Sequence, residues 1–186
     1  MVLPDILEPN LKVVFCGTAV GNKSAQAGAY YAGPGNSFWS TLAQVGLTPR
    51  RLDPQEFLIL PRYGIGLTDL AKSLHGSDRR VRASDFDTKS FRLKIEKFNP
   101  KTVAFNGKRA TRVFFGRDVQ CGLQTETIGK SVIFVLPSTS AAARGYWDQS
   151  HWKALSDFLQ NASTRPQQQD FARISIRNME LRCSRK

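Results

Sequence analysis

The sequence predicts an α/β protein: a three-layer sandwich with a central, mostly parallel sheet flanked by helices on both faces. Three observations predict it. Short apolar, β-branched runs recur at residues 11–16, 102–105 and 131–136, each closed by a turn residue. Segments with helical spacing alternate with these runs. The runs are apolar throughout, as strands covered on both faces must be.

Residues 11–16 lie between Pro9-Asn10 and Gly17 and read as a buried strand. Residues 37–45 place Phe38, Leu42 and Val45 at helical spacing and stop at Gly46. Residues 54–60 read as a short helix or turn, and 63–68 as a loop leading into a strand. Over 84–98, Phe91, Ile95 and Phe98 share one helical face, and Asn99-Pro100 ends the helix. A strand at 102–105, a helix at 108–115 and a strand at 131–136 ending at Pro137 follow. The last helix, 148–161, is anchored by Trp152, Leu155 and Leu159.

A chain of 186 residues suits one domain with a real core, expected over residues 1–161. Residues 162–186 open on a polar, Pro-marked stretch and continue with Arg173, Arg177, Arg182, Arg185 and Lys186. They read as a basic tail, with two readings open: a mobile terminus, or a segment that becomes helical on a partner. No run approaches 18 apolar residues, so no membrane span is expected. The first residues have neither a basic start nor an apolar signal core, which argues against export. The three cysteines, Cys16, Cys121 and Cys183, lack metal spacing and are odd in number. They imply a reduced, cytoplasmic chain, nucleoid-associated in a prokaryote, without disulfides or zinc. A monomer is expected.

Charge narrows the partner. Lys plus Arg number 27 against 15 acidic residues, a formal net charge of +12. Such a field attracts polyanions, and nucleic acid ranks above a membrane because no basic amphipathic terminal helix stands out. The plainer alternative is a basic protein kept soluble by its charge.

Two apolar runs end abruptly in small and hydroxylated residues. One is Val13-Val14-Phe15-Cys16-Gly17-Thr18-Ala19-Val20-Gly21, the other Leu136-Pro137-Ser138-Thr139-Ser140-Ala141. Strand ends of this kind build close-fitting pockets at the carboxyl edge of a sheet. Tyr30 and Tyr31, with Phe38-Trp39 behind them, supply an aromatic platform. A snug pocket with an aromatic wall on a basic protein suggests an enzyme that takes one base out of DNA.

The same first run comes close to a phosphate-binding P-loop. Gly17-Thr18-Ala19-Val20-Gly21-Asn22-Lys23-Ser24 has Asn22 where the second glycine belongs, and no clear metal-binding Asp follows. No Gly-x-Ser-x-Gly elbow appears, and His75 and His151 are too far apart to suggest a metal site by spacing.

Six blocks, taken in order, resemble the mismatch-specific uracil/thymine-DNA glycosylases of the uracil-DNA glycosylase superfamily over about residues 4–160. They are the first motif, Gly28 through Trp39, Tyr63-Gly64-Ile65-Gly66-Leu67-Thr68, Phe98-Asn99-Pro100-Lys101, Phe105-Asn106-Gly107-Lys108 and Leu136 through Ala141. The resemblance implies a uracil-DNA glycosylase-like fold and hydrolysis of the bond joining a deaminated or mispaired base to deoxyribose. The target nucleotide must first be flipped from the stack, at a cost of a few kcal/mol.

What the resemblance implies residue by residue is as follows. Tyr31 stacks on the extruded base, worth about 1–3 kcal/mol; otherwise it is a core aromatic beside Phe38. Tyr30 covers the sugar or packs. Backbone N–H groups of Thr18 and Ala19, next to Gly17, hold uracil O2 as negative charge builds there, each good donor being worth about 3–4 kcal/mol. Ser24 and Ala25 line the C5 side of the pocket. Asn36 reads the base edge or caps the helix that follows. Ser138, Thr139, Ser140 and Lys108 contact phosphates, and Ser138 also counts, with Gly17, among the base-binding residues. The loop after the hydroxyl motif fills the hole left by the base; Ala142 stands at the wedge position, and Arg144 is the candidate to reach instead.

The chain departs from the family at one decisive place. The catalytic Asn of the first motif, which positions the attacking water, is Ala19 here, the following Pro is Val20, and the late motif has Ser138 where Asn is usual. Such groups contribute about 10²–10⁴-fold. Thr68 is the first candidate to hold the water, with Asn36, Thr18 and Asn22 behind it. The expectation is a monofunctional, water-using glycosylase for uracil and other deaminated or mismatched bases, without cofactor or metal. Lys23 is the one lysine near the pocket motif. Rivals are a damage-binding protein with little chemistry and a P-loop-like nucleotide binder.

Overall fold

The structure is a computed structural model that describes residues 3–75 and 86–164. The basic run 78–82, the expected helix start at 84 and the tail from residue 165, with Cys183, lie outside the described residues. Five strands form one sheet in the order β2-β1-β3-β5-β4. They are β1 (Val13–Val20), β2 (Ile65–His75), β3 (Thr102–Asn106), β4 (Gly122–Ile128) and β5 (Ser131–Leu136). Every neighbouring pair is parallel except β4 with β5. The helices are α1 (Asn22–Ala27), α2 (Phe38–Gln44), α3 (Thr88–Phe98), α4 (Lys108–Phe115) and α5 (Ser150–Thr164). Two 3-10 segments, Pro54–Tyr63 and Ala141–Tyr146, are also found among the described residues. The α/β sandwich with helices on both faces is the architecture the sequence predicts.

Side-chain alternation along β1 divides the core. Phe15 meets Phe38 of α2 edge-on at 5.4 Å and stacks on Trp152 of α5 at 5.4 Å, so these two helices cover one face. Cys16 and Val14 belong to the other face, with Phe91 and Ile95 of α3, Phe105 of β3, and Ala110 and Phe114 of α4. The chain thus leaves β1 over the first face and leaves β3 over the second. Strand order reverses between them, and doubly wound sheets bind ligands at the carboxyl ends of the strands at such a point.

Two elements escape the periodicity reading. α1 is short and polar. β4 is an edge strand whose burial is confined mainly to Ile128, so it lacks the apolar signature of a covered strand. Strands β1 and β2 also run further than their apolar cores suggest, to Val20 and His75. α5 continues past residue 161 to Thr164. Contacts divide the chain into a compact unit Met1–Ser156 and a second unit Asp157–Lys186, of which only the helical stretch to residue 164 is described.

The edge of β2 is closed by the N-terminal segment, where Ile6 bridges Leu67 antiparallel. This brings Asp5 onto Lys72 at 2.7 Å, into a salt bridge with Lys94, and under the Thr68 hydroxyl, which donates to it at 2.7 Å. Burial opposes ionisation of Asp5, but the hydrogen bonds from Lys72, Lys94 and Thr68 and the Lys72 charge outweigh it. Its carboxyl is held below its ordinary value. A depressed folded-state pKa stabilises the fold above the unfolded pKa of about 4, and that contribution fades as pH falls through the lowered value. Asp5→Asn should therefore cost about 1–3 kcal/mol at pH 7 and flatten the acid limb of stability against pH. Urea midpoints between pH 2 and 7 that run parallel for the two proteins would refute this account.

Candidate functional site

The crevice begins where β1 loses one neighbour. Pairing with β3 stops at Cys16↔Phe105, whereas pairing with β2 continues to Ala19↔Ala71 and, after a register shift, to Val20↔His75. Gly17 stands at the opening. A Cβ there would overlap Asp69 Oδ1 and lie 3.4 Å from the Tyr31 hydroxyl, so the close approach of three groups requires glycine. Asp69 is paired in register with Gly17 and is only 3% exposed. Lys72 lies 3.8 Å from its Oδ2.

Tyr31 reaches this corner from the loop after α1 with a φ of 54°, in the left-handed region that non-glycine residues seldom occupy. Its ring stacks on Phe38 with centroids 4.0 Å apart and planes 25° apart. Its hydroxyl is buried without a hydrogen-bond partner among the described residues. Burial pushes the phenol well above its ordinary pKa, and the Asp69 carboxylate adds to this. The nearby Asn106 side chain offsets part of the shift. A neutral, buried hydroxyl of this kind is available to a polar ligand group. The Cys16 thiol, also pushed up by burial and by Asp69, remains protonated and inert.

Asn106, the last residue of β3, ties the second half of the site to the first. Its Nδ2 donates to Thr139 Oγ1 at 2.9 Å, and its Oδ1 accepts from Thr139 N at 3.0 Å. The Thr139 carbonyl in turn accepts from Ser37 N at 3.0 Å. This joins the loop before α2 to the loop after β5, and a cavity of about 200 Å³ lies at their junction. Gly35, Ser37, Ser138, Thr139, Ser140, Arg144 and Trp147 line it. Ser138 and Ser140 accept from the backbone N–H groups of Ser140 and Ala142, which fixes the oxygens and leaves each O–H to donate. Gly107 packs against Ser138, so exposed Lys108, the next residue, stands at the same rim.

The predicted residues divide accordingly. Gly17 and Tyr31 meet in the corner, with Thr18 buried and Ala19 partly exposed beyond them on β1. Ser138, Thr139, Ser140 and Arg144 share the cavity, and Lys108 flanks it. Thr68 is not brought in. It is fully buried and donates to Asp5, because it pairs with Cys16 and so shares that residue's face of the sheet, whereas Gly17 belongs to the other. The next residue, Asp69, takes the place facing Gly17. Ser24 accepts from Ala32 N at 3.1 Å and serves to anchor the loop. Asn36 accepts from Phe38 N at 3.0 Å, the helix-capping alternative of its two readings. Tyr30 packs, donating to the Pro4 carbonyl and accepting from Lys72. Arg144 is exposed at the cavity rim, with its guanidinium beside Gly35, where a Cβ would come within 2.5 Å of Nη2. The P-loop reading fails locally, since β1 runs to Val20 and α1 starts at Asn22, leaving no loop to wrap a phosphate.

Asp69 and the bridging role of Asn106 are absent from the sequence reading. Strict alternation counted from buried Leu67 would have pointed to Asp69 as the acid on the crevice side. For Asn106 the only signal is an amide at the carboxyl end of a buried strand.

A family model described as the uracil DNA glycosylase superfamily matches residues 4–160. The fold is similar to the solution NMR structure of a "putative Uracil DNA glycosylase" from Methanosarcina acetivorans. That likeness has a TM-score of 0.60 at 21% identity and covers 86% of this chain and 97% of the other.

Asn106→Ala should leave two groups of Thr139 without partners and cost about 1–3 kcal/mol, while Asn106→Asp keeps the acceptor and loses only the donor. The specific readout is hydrogen exchange at the Thr139 amide, expected to quicken most in the alanine variant. Unchanged exchange there would mean that Asn106 does not hold the loop.

Proposed function

The chain belongs to the uracil DNA glycosylase superfamily, and from that premise we propose that it hydrolyses the N-glycosidic bond of uracil in DNA. Its place in the proposal is the mismatch-specific branch, acting as a monomer on uracil and on other deaminated or mispaired bases. The observation that carries the reading is the meeting of the Gly17–Tyr31–Asp69 corner with the hydroxyl-lined cavity through Asn106. A net charge of +12 supports DNA as the polyanion.

In this reading the hydroxyls of Ser138 and Ser140, with Lys108, grip phosphates beside the target, and the nucleotide swings into the crevice. Tyr31, backed by Phe38, provides the stacking surface. Its buried hydroxyl and the backbone donors after Cys16 face the polar edge of the base. They stabilise the negative charge that builds on the base as the bond to deoxyribose breaks. Water then captures the oxocarbenium-like sugar. Ala19 has no group to hold that water, and Thr68 is turned to Asp5. Asp69 is the remaining acceptor in the corner suited to orient the water and take its proton.

A second reading, a protein that holds uracil with little chemistry, is favoured by one observation: an alanine where the water-holding side chain would be. One assay separates the two. Labelled duplex and single-stranded DNA with a single uracil should yield alkali-labile abasic sites; tight, uracil-dependent binding with no such product would select the second reading. Borohydride should trap no covalent adduct through Lys23 or any other amine. Ala19→Asn should speed uracil release tenfold or more, as expected when a positioned group is restored; an unchanged rate would overturn the account of the missing water-holder. Asp69→Asn should slow release about a hundredfold, and an unchanged rate would exclude Asp69 as the proton acceptor.

A further inference from the structure

Lys72 joins the cluster that closes the edge of β2 to the corner at Gly17. Asp5 lies with Thr68 on one side of β2, and Asp69 faces Gly17 on the other. The Lys72 ammonium meets both, at 2.7 Å from Asp5 Oδ1 and 3.8 Å from Asp69 Oδ2. We propose that Lys72 is a positioning residue for the chemistry: its charge holds Asp69 with Oδ1 turned to Gly17. The inference rests on the glycosylase reading above, with Asp69 as its proton acceptor.

Simple alternation would keep these two residues apart. Thr68, Leu70 and Lys72 share one parity along β2, and Asp69 and Ala71 the other. Two features of β2 release Lys72 from that rule. β2 is an edge strand, so a long side chain can pass round it without crossing the sheet. Its pairing with β1 also shifts register just after Ala71, since Ala19 pairs with Ala71 and Val20 with His75. Lys72 is the first residue of the extra stretch, and bulges of this kind bend a strand and re-aim its side chains.

The ammonium is held from several sides. It donates to the Leu3 carbonyl at 3.1 Å and to the Tyr30 hydroxyl at 2.8 Å. With Asp5, these acceptors match its three N–H donors. The acceptors are anchored in turn. Tyr30 donates to the Pro4 carbonyl, and its own carbonyl accepts from the Trp39 indole at 3.0 Å. Asp5 also accepts from Thr68 and Lys94. Only 26% of the Lys72 side chain and 3% of that of Asp69 are exposed, so water and salt screen their attraction weakly. The two oxygens of Asp69 then differ: Oδ2 lies toward Lys72, and Oδ1 lies against Gly17, where the Tyr31 hydroxyl also approaches. A carboxylate drawn at one oxygen to a fixed cation presents the other in one direction, and orientation of that kind governs rate.

The test is a double-mutant cycle of the parent, Lys72→Met, Asp69→Asn and the pair, read in single-turnover release of uracil from DNA and in urea unfolding. Lys72→Met should slow release about tenfold or more with little change in the dissociation constant for the DNA. In the Asp69→Asn background it should slow release no further. Tyr30→Phe removes one partner of the ammonium and keeps the charge beside Asp69, so it should cost clearly less. Lys72→Gln serves the same cycle if Lys72→Met does not fold. An unchanged rate, equal slowing with and without the Asp69 carboxylate, or an equally large effect of Tyr30→Phe would overturn the proposal. Parent protein that releases no base from any substrate would instead overturn the glycosylase reading. Unfolding would then still decide whether Lys72 holds Asp69: Lys72→Met should lower the urea midpoint more in the parent than in Asp69→Asn, and equal losses would dismiss the contact.

Discussion

Two hydrogen bonds between Asn106 and Thr139 hold the site together. β3 and β5 are neighbours, but nothing in strand pairing obliges the loop after β5 to turn over the end of β3. A planar amide that donates and accepts at once sets both the position and the direction of that turn. Because Asn106 is nearly buried, its two bonds lie in a low-dielectric setting where an unsatisfied amide would be costly. Thr139 then passes the constraint on through its carbonyl to Ser37, and the two loops that form the cavity become one unit.

The corner around Gly17 rests on steric rather than polar economy. Three groups from three segments converge where a single methyl group would not fit. That density brings a carboxylate and a phenol together out of water, and burial with the Asp69 charge keeps the Tyr31 phenol neutral. Such an arrangement is poor for stability and useful for chemistry. The nearby Asp5–Lys72–Lys94 cluster shows the contrasting case, in which charges of opposite sign close the sheet edge and favour ionisation.

The loop after β5 combines opposite requirements. Ser138 and Ser140 orient hydroxyls by accepting local backbone N–H groups, partly exposed Trp147 packs on buried Trp152, and Tyr146 is left in water. Arg144 lines the cavity and keeps an exposed side chain.

The sequence by itself determined the layered α/β architecture, because strands covered on both faces must be apolar throughout and helices between them must be amphipathic. It also located Gly17, Tyr31 and the 138–140 hydroxyls, since small and hydroxylated residues at strand ends carry a local signal. It could not separate Thr68 from Asp69, because neighbouring strand residues face opposite sides and only the packing of Asp5 on one side and Gly17 on the other reveals which is which. Nor could it see β4, whose polar edge lacks a burial pattern, or the return of Arg144 onto Gly35. These depend on contacts between residues far apart in the chain. Periodicity records the face a residue presents, and tertiary structure alone decides what meets it there.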